Sequence, residues 1–159
     1  MRKRFEGKRS LGCTPVHELK VPPTARGHMV AFVAAFQYIY VNPKWKEKVF
    51  SLLAGKISKK KRATGHNGMS LLEIFVLGQV RLCMNIGYDE LHYGANYENL
   101  LRGLLGVLPT DFTQGKDYQY QNIYDNVRLL DNELLKQDND VIVSVGHEVF
   151  KKKNRLLCA

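Results

Sequence analysis

Ten cations gathered in two short stretches are the residues of this sequence best suited to a chemical task. Arg2, Lys3, Arg4, Lys8 and Arg9 make the first stretch, and Lys56, Lys59, Lys60, Lys61 and Arg62 the second. Clustered positive charge gains free energy by displacing counterions from a polyanion, and nucleic acid is the commonest one. The distribution is lopsided. Of 24 Lys and Arg, 15 precede residue 63, with only three of the 15 Asp and Glu, in a chain of net charge +9. Lysines spread evenly would serve solubility, whereas two clusters point to a polyanion partner. The first cluster suits a basic arm that tracks phosphates or enters a minor groove. The second is followed by Gly65 and Gly68. It can bring side-chain charge and backbone N–H groups to a phosphate, or serve as a solvated linker.

A third set lies further on. Gln119, Gln121, Asn122, Asn126 and Arg128 are residue types that read base edges or hold phosphates. Asp125, Asp131 and Glu133, with Asp117 just before, give the same segment net negative charge. A core-packing helix with a polar outside therefore fits it as well as a groove-reading one.

Signs of catalysis are few. The sequence holds no P-loop, GxGxxG, HExxH or GxSxG motif. Cys13, His17 and His28 lack the further ligands and scaffold that a metal site needs. His92 and His147 fall on expected helices, where ordinary surface or core roles suffice. Asp138 and Asp140 are two apart and point different ways on a helix, so they share no site. Asp89 and Glu90 sit in a first helical turn, where the dipole favours carboxylates. No catalytic residue, metal, cofactor or small-molecule substrate is expected.

These residues must be positioned by helices. Met29, Phe32, Val33, Phe36, Ile39 and Tyr40 recur on one helical face. Asn42-Pro43 then supplies an N-cap and a proline at the first helical position. Trp45, Val49, Leu52 and Leu53 form the stripe of that second helix. Ser70-Leu-Leu-Glu73 is a capping-box signature. The segment Leu71 to Met84 is apolar on nearly every side, which predicts a central, buried helix ending near Gly87. Short helices are expected over Asp89–Ala95 and Glu98–Leu105, the latter ending at Gly106. Tyr120, Ile123, Tyr124, Val127, Leu130 and Leu134 predict one longer helix from about Gln119 to Gln137. Val141 to Val145 suits a strand by its β-branching, but Ile142, Val145 and Val149 favour a helix. Residues 1–27, with Pro15, Pro22 and Pro23, read as a basic arm, partly ordered.

The chain has 159 residues, 45% of them hydrophobic, enough for one domain with a core. Glu73, Gln79 and Arg81 interrupt the longest apolar stretch, so no membrane span is expected. The basic N-terminus is followed by no apolar core of a signal peptide. Three cysteines without CxxC spacing suggest a reducing compartment, the cytoplasm.

Several strings resemble the N-terminal region of bacterial insertion-sequence transposases of the DDE type. They are Met1-Arg-Lys-Arg-Phe5, Leu11-Gly-Cys-Thr-Pro15, Phe36-Gln-Tyr-Ile-Tyr40, Gly68-Met-Ser-Leu71, Val76-Leu-Gly-Gln-Val-Arg-Leu82, Tyr88-Asp-Glu-Leu91, Ala95-Asn-Tyr97 and Asp125-Asn-Val-Arg-Leu-Leu-Asp131. The resemblance runs to about Lys153. It implies an all-helical domain that binds the ends of a mobile element. In the family a separate RNase H-like domain carries three acidic residues that hold two divalent metals. That domain should begin after Gly146-His-Glu-Val-Phe-Lys-Lys-Lys153, where this sequence gives Asn154-Arg-Leu-Leu-Cys-Ala159 instead, so none of those acids can be carried over. His66-Asn67 stands where the family more often has Arg-Pro.

The expectation is therefore an all-α, multi-helix bundle with helix-turn-helix-like elements. Its parts are a basic arm (1–27), a helical domain (28–150) and a basic tail (151–159) that has the look of a frameshift end. It would bind duplex DNA at terminal inverted repeats through Arg2, Lys3, Arg4, Lys8, Arg9, Lys59, Lys60, Lys61, Arg62, Gln121, Asn122, Asn126 and Arg128, and be inactive alone. The alternatives are a dimerisation module that inhibits full-length transposase, or a remnant without function.

Overall fold

The third helix dictates how the others are arranged. The computed structural model describes residues 14–21, 27–57, 68–107 and 117–157. Among them run α1 (His28–Val41), α2 (Pro43–Ile57), α3 (Leu71–Met84), α4 (Tyr88–Tyr97), α5 (Asn99–Leu104), α6 (Tyr120–Val127) and α7 (Asn132–Leu157). No strand occurs among the described residues, and the protein is an all-helical bundle. Every residue from Leu71 to Val80 is buried. A helix with no polar face has to be wrapped on all sides, and α3 touches α1, α2, α4, α6 and α7.

Local chemistry starts and stops these helices. Asn42 ends α1 and begins α2. Its N–H donates to Tyr38 O at 3.1 Å, and its Oδ1 accepts from Lys44 N at 3.1 Å. Pro43 fills the first position of α2, where a missing N–H costs nothing. At α3 the capping box forms. Glu73 N donates to Ser70 Oγ at 3.3 Å, and Ser70 N donates to Glu73 Oε2 at 2.7 Å.

Glu73 is buried, and its other oxygen accepts the Tyr118 hydroxyl at 2.7 Å. Asn96 brackets the Tyr118 backbone, donating to its carbonyl at 2.9 Å and accepting from its N–H at 2.7 Å. Buried Arg102 donates to Asn96 O at 2.8 Å. This polar cluster joins α3, α4, α5 and the segment entering α6. Burial pushes the Tyr118 phenol up, the Glu73 charge adds to that, and Arg102 opposes it.

Helix α7 runs antiparallel to α2, fixed at two ends. Lys56 Nζ meets Glu133 Oε2 at 2.9 Å, and Trp45 Nε1 donates to Glu148 Oε2 at 3.2 Å. The Tyr38 hydroxyl donates to the same Glu148 oxygen at 3.2 Å. The hydrogen bond with Glu133 raises the Lys56 pKa. Among the described residues, two fully buried polar side chains have no hydrogen-bond partner. They are Gln79 on α3 and Asp138 on α7, both at 0% exposure.

Two sequence expectations need correction. The single helix expected from Gln119 to Gln137 is two. Asp131 Oδ1 accepts from Leu134 N at 2.9 Å and starts α7 afresh, while Leu130 turns inward over Gly78. Tyr120, at the start of α6, is 39% exposed. Helix α3 ends at Asn85 rather than Gly87. Asn85 adopts the left-handed conformation at φ 52, which asparagine tolerates, and Ile86 N donates to Arg81 O at 3.2 Å. Gly87 instead opens α4, its N–H taken by Glu90 Oε2 at 3.0 Å. Within the stretch read as a partly ordered arm, residues 14–21 are described and lie against the bundle. Val16 is fully buried, and Gln37 Nε2 donates to the carbonyls of Val16 and Leu19 at 2.8 and 2.9 Å. Leu19 fits against Gly103, where an added Cβ would come within 2.6 Å of it. The helical reading of Val141–Val145 holds, with Val141 and Val145 buried and Val143 exposed.

Candidate nucleic-acid interface

The corner between α6 and α7 gathers the polar groups that could meet a nucleic acid. Helix α6 exists because Ile123 and Val127 bury against the bundle, which turns Gln121, Asn122 and Asp125 to the outside. Arg128 follows the last turn, exposed, with its guanidinium 5.6 Å from the Tyr124 ring centre. Tyr124 stacks on Tyr120 at 6.4 Å and meets Tyr88 edge-on at 4.8 Å. His92 approaches Tyr120 at 6.0 Å. A layer of rings thus supports the outer face of α6.

Asn126 is the exception among the four expected contacts here, and its assignment to DNA is corrected. It is buried, and its Nδ2 donates to Asn122 O at 2.6 Å. Its position, three residues beyond Ile123, puts it on the packed face. Of the remaining expected residues, Arg2, Lys3, Arg4, Lys8, Arg9, Lys59, Lys60, Lys61 and Arg62 lie outside the described residues.

The helix that precedes the second cationic stretch in the sequence has a fixed end. Ile57, the last residue of α2, is fully buried, and Lys56 beside it is tied to Glu133 in the first turn of α7. The C-terminal end of α2 therefore sits beside the first turn of α7, whose Glu133 is five residues past Arg128.

Helix α2 adds cations that motif reading passes over. Lys44 and Lys48 are exposed, with their ammonium groups 5.7 and 5.1 Å from the Trp45 ring centre. Lys46 lies 4.6 Å from that of Tyr40. Arg81 was also missed. It stands at the end of a helix that is otherwise nearly all apolar, and that anomaly was the available signal.

Other candidate groups stay separate. His17 pairs with its neighbour Glu18 at 3.5 Å, and His28 begins α1. Among the described residues no group of three or more His, Cys, Asp or Glu is placed to hold a metal ion. No described helix is long and apolar enough to cross a membrane. Asp138 is buried and Asp140 exposed, so the two face different ways as expected.

The chain matches no protein-family model, no curated protein and no solved structure. Function has to be read from the residues and their placement.

Proposed function

We propose that this chain is a DNA-binding portion of a DDE-type transposase, recognising the terminal inverted repeats of a mobile element and holding DNA without cutting it. The observation that carries this reading is one of position. The Lys56–Glu133 tie at 2.9 Å brings the end of α2, which precedes Lys59–Arg62 in the sequence, beside the α6–α7 corner, where Gln121, Asn122 and Arg128 are exposed. The ordered strings that resemble transposases add the class of DNA, and the reducing cytoplasm of a cell carrying such an element is the corresponding location.

Titration of the full chain with a duplex bearing the parent element's ends tests this directly, alongside random duplex at the same salt. The expected result is tighter binding to the ends. Affinity should fall about 10³-fold or more between 50 and 200 mM salt if at least six phosphates are engaged. Absence of binding at low salt would sink the reading, and Mg²⁺-dependent nicking by pure protein would overturn the non-cutting part of it.

A second reading, a dimerisation module that acts on full-length transposase, is favoured by a different observation. A cavity of about 480 Å³ lies among Met29, Val80, Met84, Ile86, Tyr93 and Leu101. Tyr93 and Tyr97 beside it are 61% and 54% exposed with their rings 5.0 Å apart. Mass measurement over a concentration series separates the two, since a DNA-binding monomer keeps one mass.

A further inference from the structure

A second cavity, of about 380 Å³, lies between α3, α6 and the start of α7, and two arginines line it. Arg81 comes from the last turn of α3, and Arg128 from the turn after α6. Gly78, Tyr88 and Asn132 complete the parts of the wall that matter here. The Arg81 guanidinium lies 4.4 Å from the Tyr88 ring centre, and that of Arg128 5.6 Å from Tyr124. The two tyrosines touch edge-on, so both cations rest on one aromatic shelf. Stacking of this kind fixes the plane of a guanidinium and leaves its N–H groups pointing outward along that plane.

Arg81 Nε is buried and has no hydrogen-bond partner. A charged donor shut away from water without an acceptor costs free energy, so its retention needs an explanation. Neither arginine is paired with a carboxylate among the described residues. Asp131 also lines the cavity, and its Oδ1 is taken by the Leu134 N–H at 2.9 Å. It lowers the local charge by one against two guanidiniums, which leaves the cavity cationic. An acceptor-rich anion with tetrahedral oxygens fits this description, since planar arginine forks match phosphate oxygens in pairs.

We propose that Arg81 and Arg128, seated on Tyr88 and Tyr124, form a phosphate-binding site at the α3–α6–α7 junction. Its ligand is a phosphodiester of the duplex backbone, which positions α6 against the DNA and carries no sequence information itself. This part rests on the DNA-binding reading above, whereas the anion site itself does not.

The test uses the full chain and two probes, inorganic phosphate and a short duplex. The N–H signal of Arg81 Nε in a ¹H–¹⁵N spectrum is assigned by its loss in Arg81→Lys. Both probes should move it, and the charge-removing variants Arg81→Gln and Arg128→Gln should each lower the slope of log affinity against log salt, by about 0.9 together for the one phosphate they hold. Arg128 is exposed, so its variant reports even if Arg81→Gln unfolds. Duplex binding with both slopes unchanged and a stationary Arg81 signal would overturn the site and leave the DNA-binding reading standing. Movement with phosphate, in a protein that binds no duplex, would support an anion site and overturn both the phosphodiester ligand and the DNA-binding reading. A signal that moves with neither probe would overturn the site outright.

Discussion

Asp138 is the residue whose behaviour the fold makes most distinctive. Both of its carboxylate oxygens are buried without partners, and burial pushes its pKa from 3.8 up to about 7. An unfolded chain releases this proton near pH 4, whereas the folded chain holds it to about pH 7. Folding is therefore favoured below pH 4, and that advantage is lost as pH rises to about 7. The loss is on the order of 4 kcal/mol. Asp138→Asn, neutral throughout, should remove this slope and be the more stable protein at pH 8. Urea unfolding of both proteins at pH 5 and pH 8 checks it, and equal slopes would count against the burial. Asn126 and Gln121 make a complementary pair. Asn126→Ala should lower stability by about 1 kcal/mol through its lost hydrogen bond, and Gln121→Ala, exposed, should leave stability unchanged. Thermal melts separate the two.

Two glycines show how differently equal substitutions act within helices. Gly55 on α2 faces open space, whereas a Cβ at Gly78 on α3 would overlap the side chain of Leu130. Gly55→Ala should stabilise by about 0.5–1 kcal/mol through helix propensity. Gly78→Ala should lose that gain or reverse it, because Leu130 caps the gap between α6 and α7 and has to move. Denaturant midpoints of the two variants measure the difference. Boundaries written in local chemistry were legible from sequence. Asn42-Pro43 and Ser70-x-x-Glu73 act through bonds within one turn, and α3 declared itself by apolarity on every side. The α6–α7 break was hidden because the stripe from Ile123 to Leu134 continues at helical spacing across it. Asp131, a cap in the middle of that stripe, was the competing signal. Residue type likewise outweighed position at Asn126, whose place beside Val127 already pointed inward. Docking of Val16 and Leu19 was not legible, since it depends on a notch at Gly103 some 80 residues away.

Over the whole molecule, charge and packing are divided between different segments. The mostly apolar interior is built around α3, while among the described residues Lys56 stands at the end of α2 and Arg81 and Arg128 where α6 turns into α7. Removing Lys59, Lys60, Lys61 and Arg62 together, as alanines, should reduce the salt slope of duplex binding by roughly 3–4 and leave the thermal midpoint nearly unchanged. An unchanged slope would show the stretch to be only a linker. A shared loss of slope and stability would mean that it packs on the bundle. The candidate site was legible in part for the same reason. Clusters of like charge are visible in any sequence, but Arg81 acquires its meaning only when folding brings it beside Arg128.

Glu148 has a practical consequence through the one tryptophan of the chain. Its single oxygen accepts from both Trp45 and Tyr38, so the indole is enclosed only while α7 lies along the α1–α2 hairpin. Trp45 is 7% exposed, flanked by two lysines whose ammonium groups sit near its ring. The protein thus carries a built-in fluorophore at the far end of its longest helix. Emission should be blue-shifted when α7 is seated and move to longer wavelength when it lifts. With no label added, excitation of the indole would show whether DNA arriving at the α6–α7 corner is felt at the opposite end of α7.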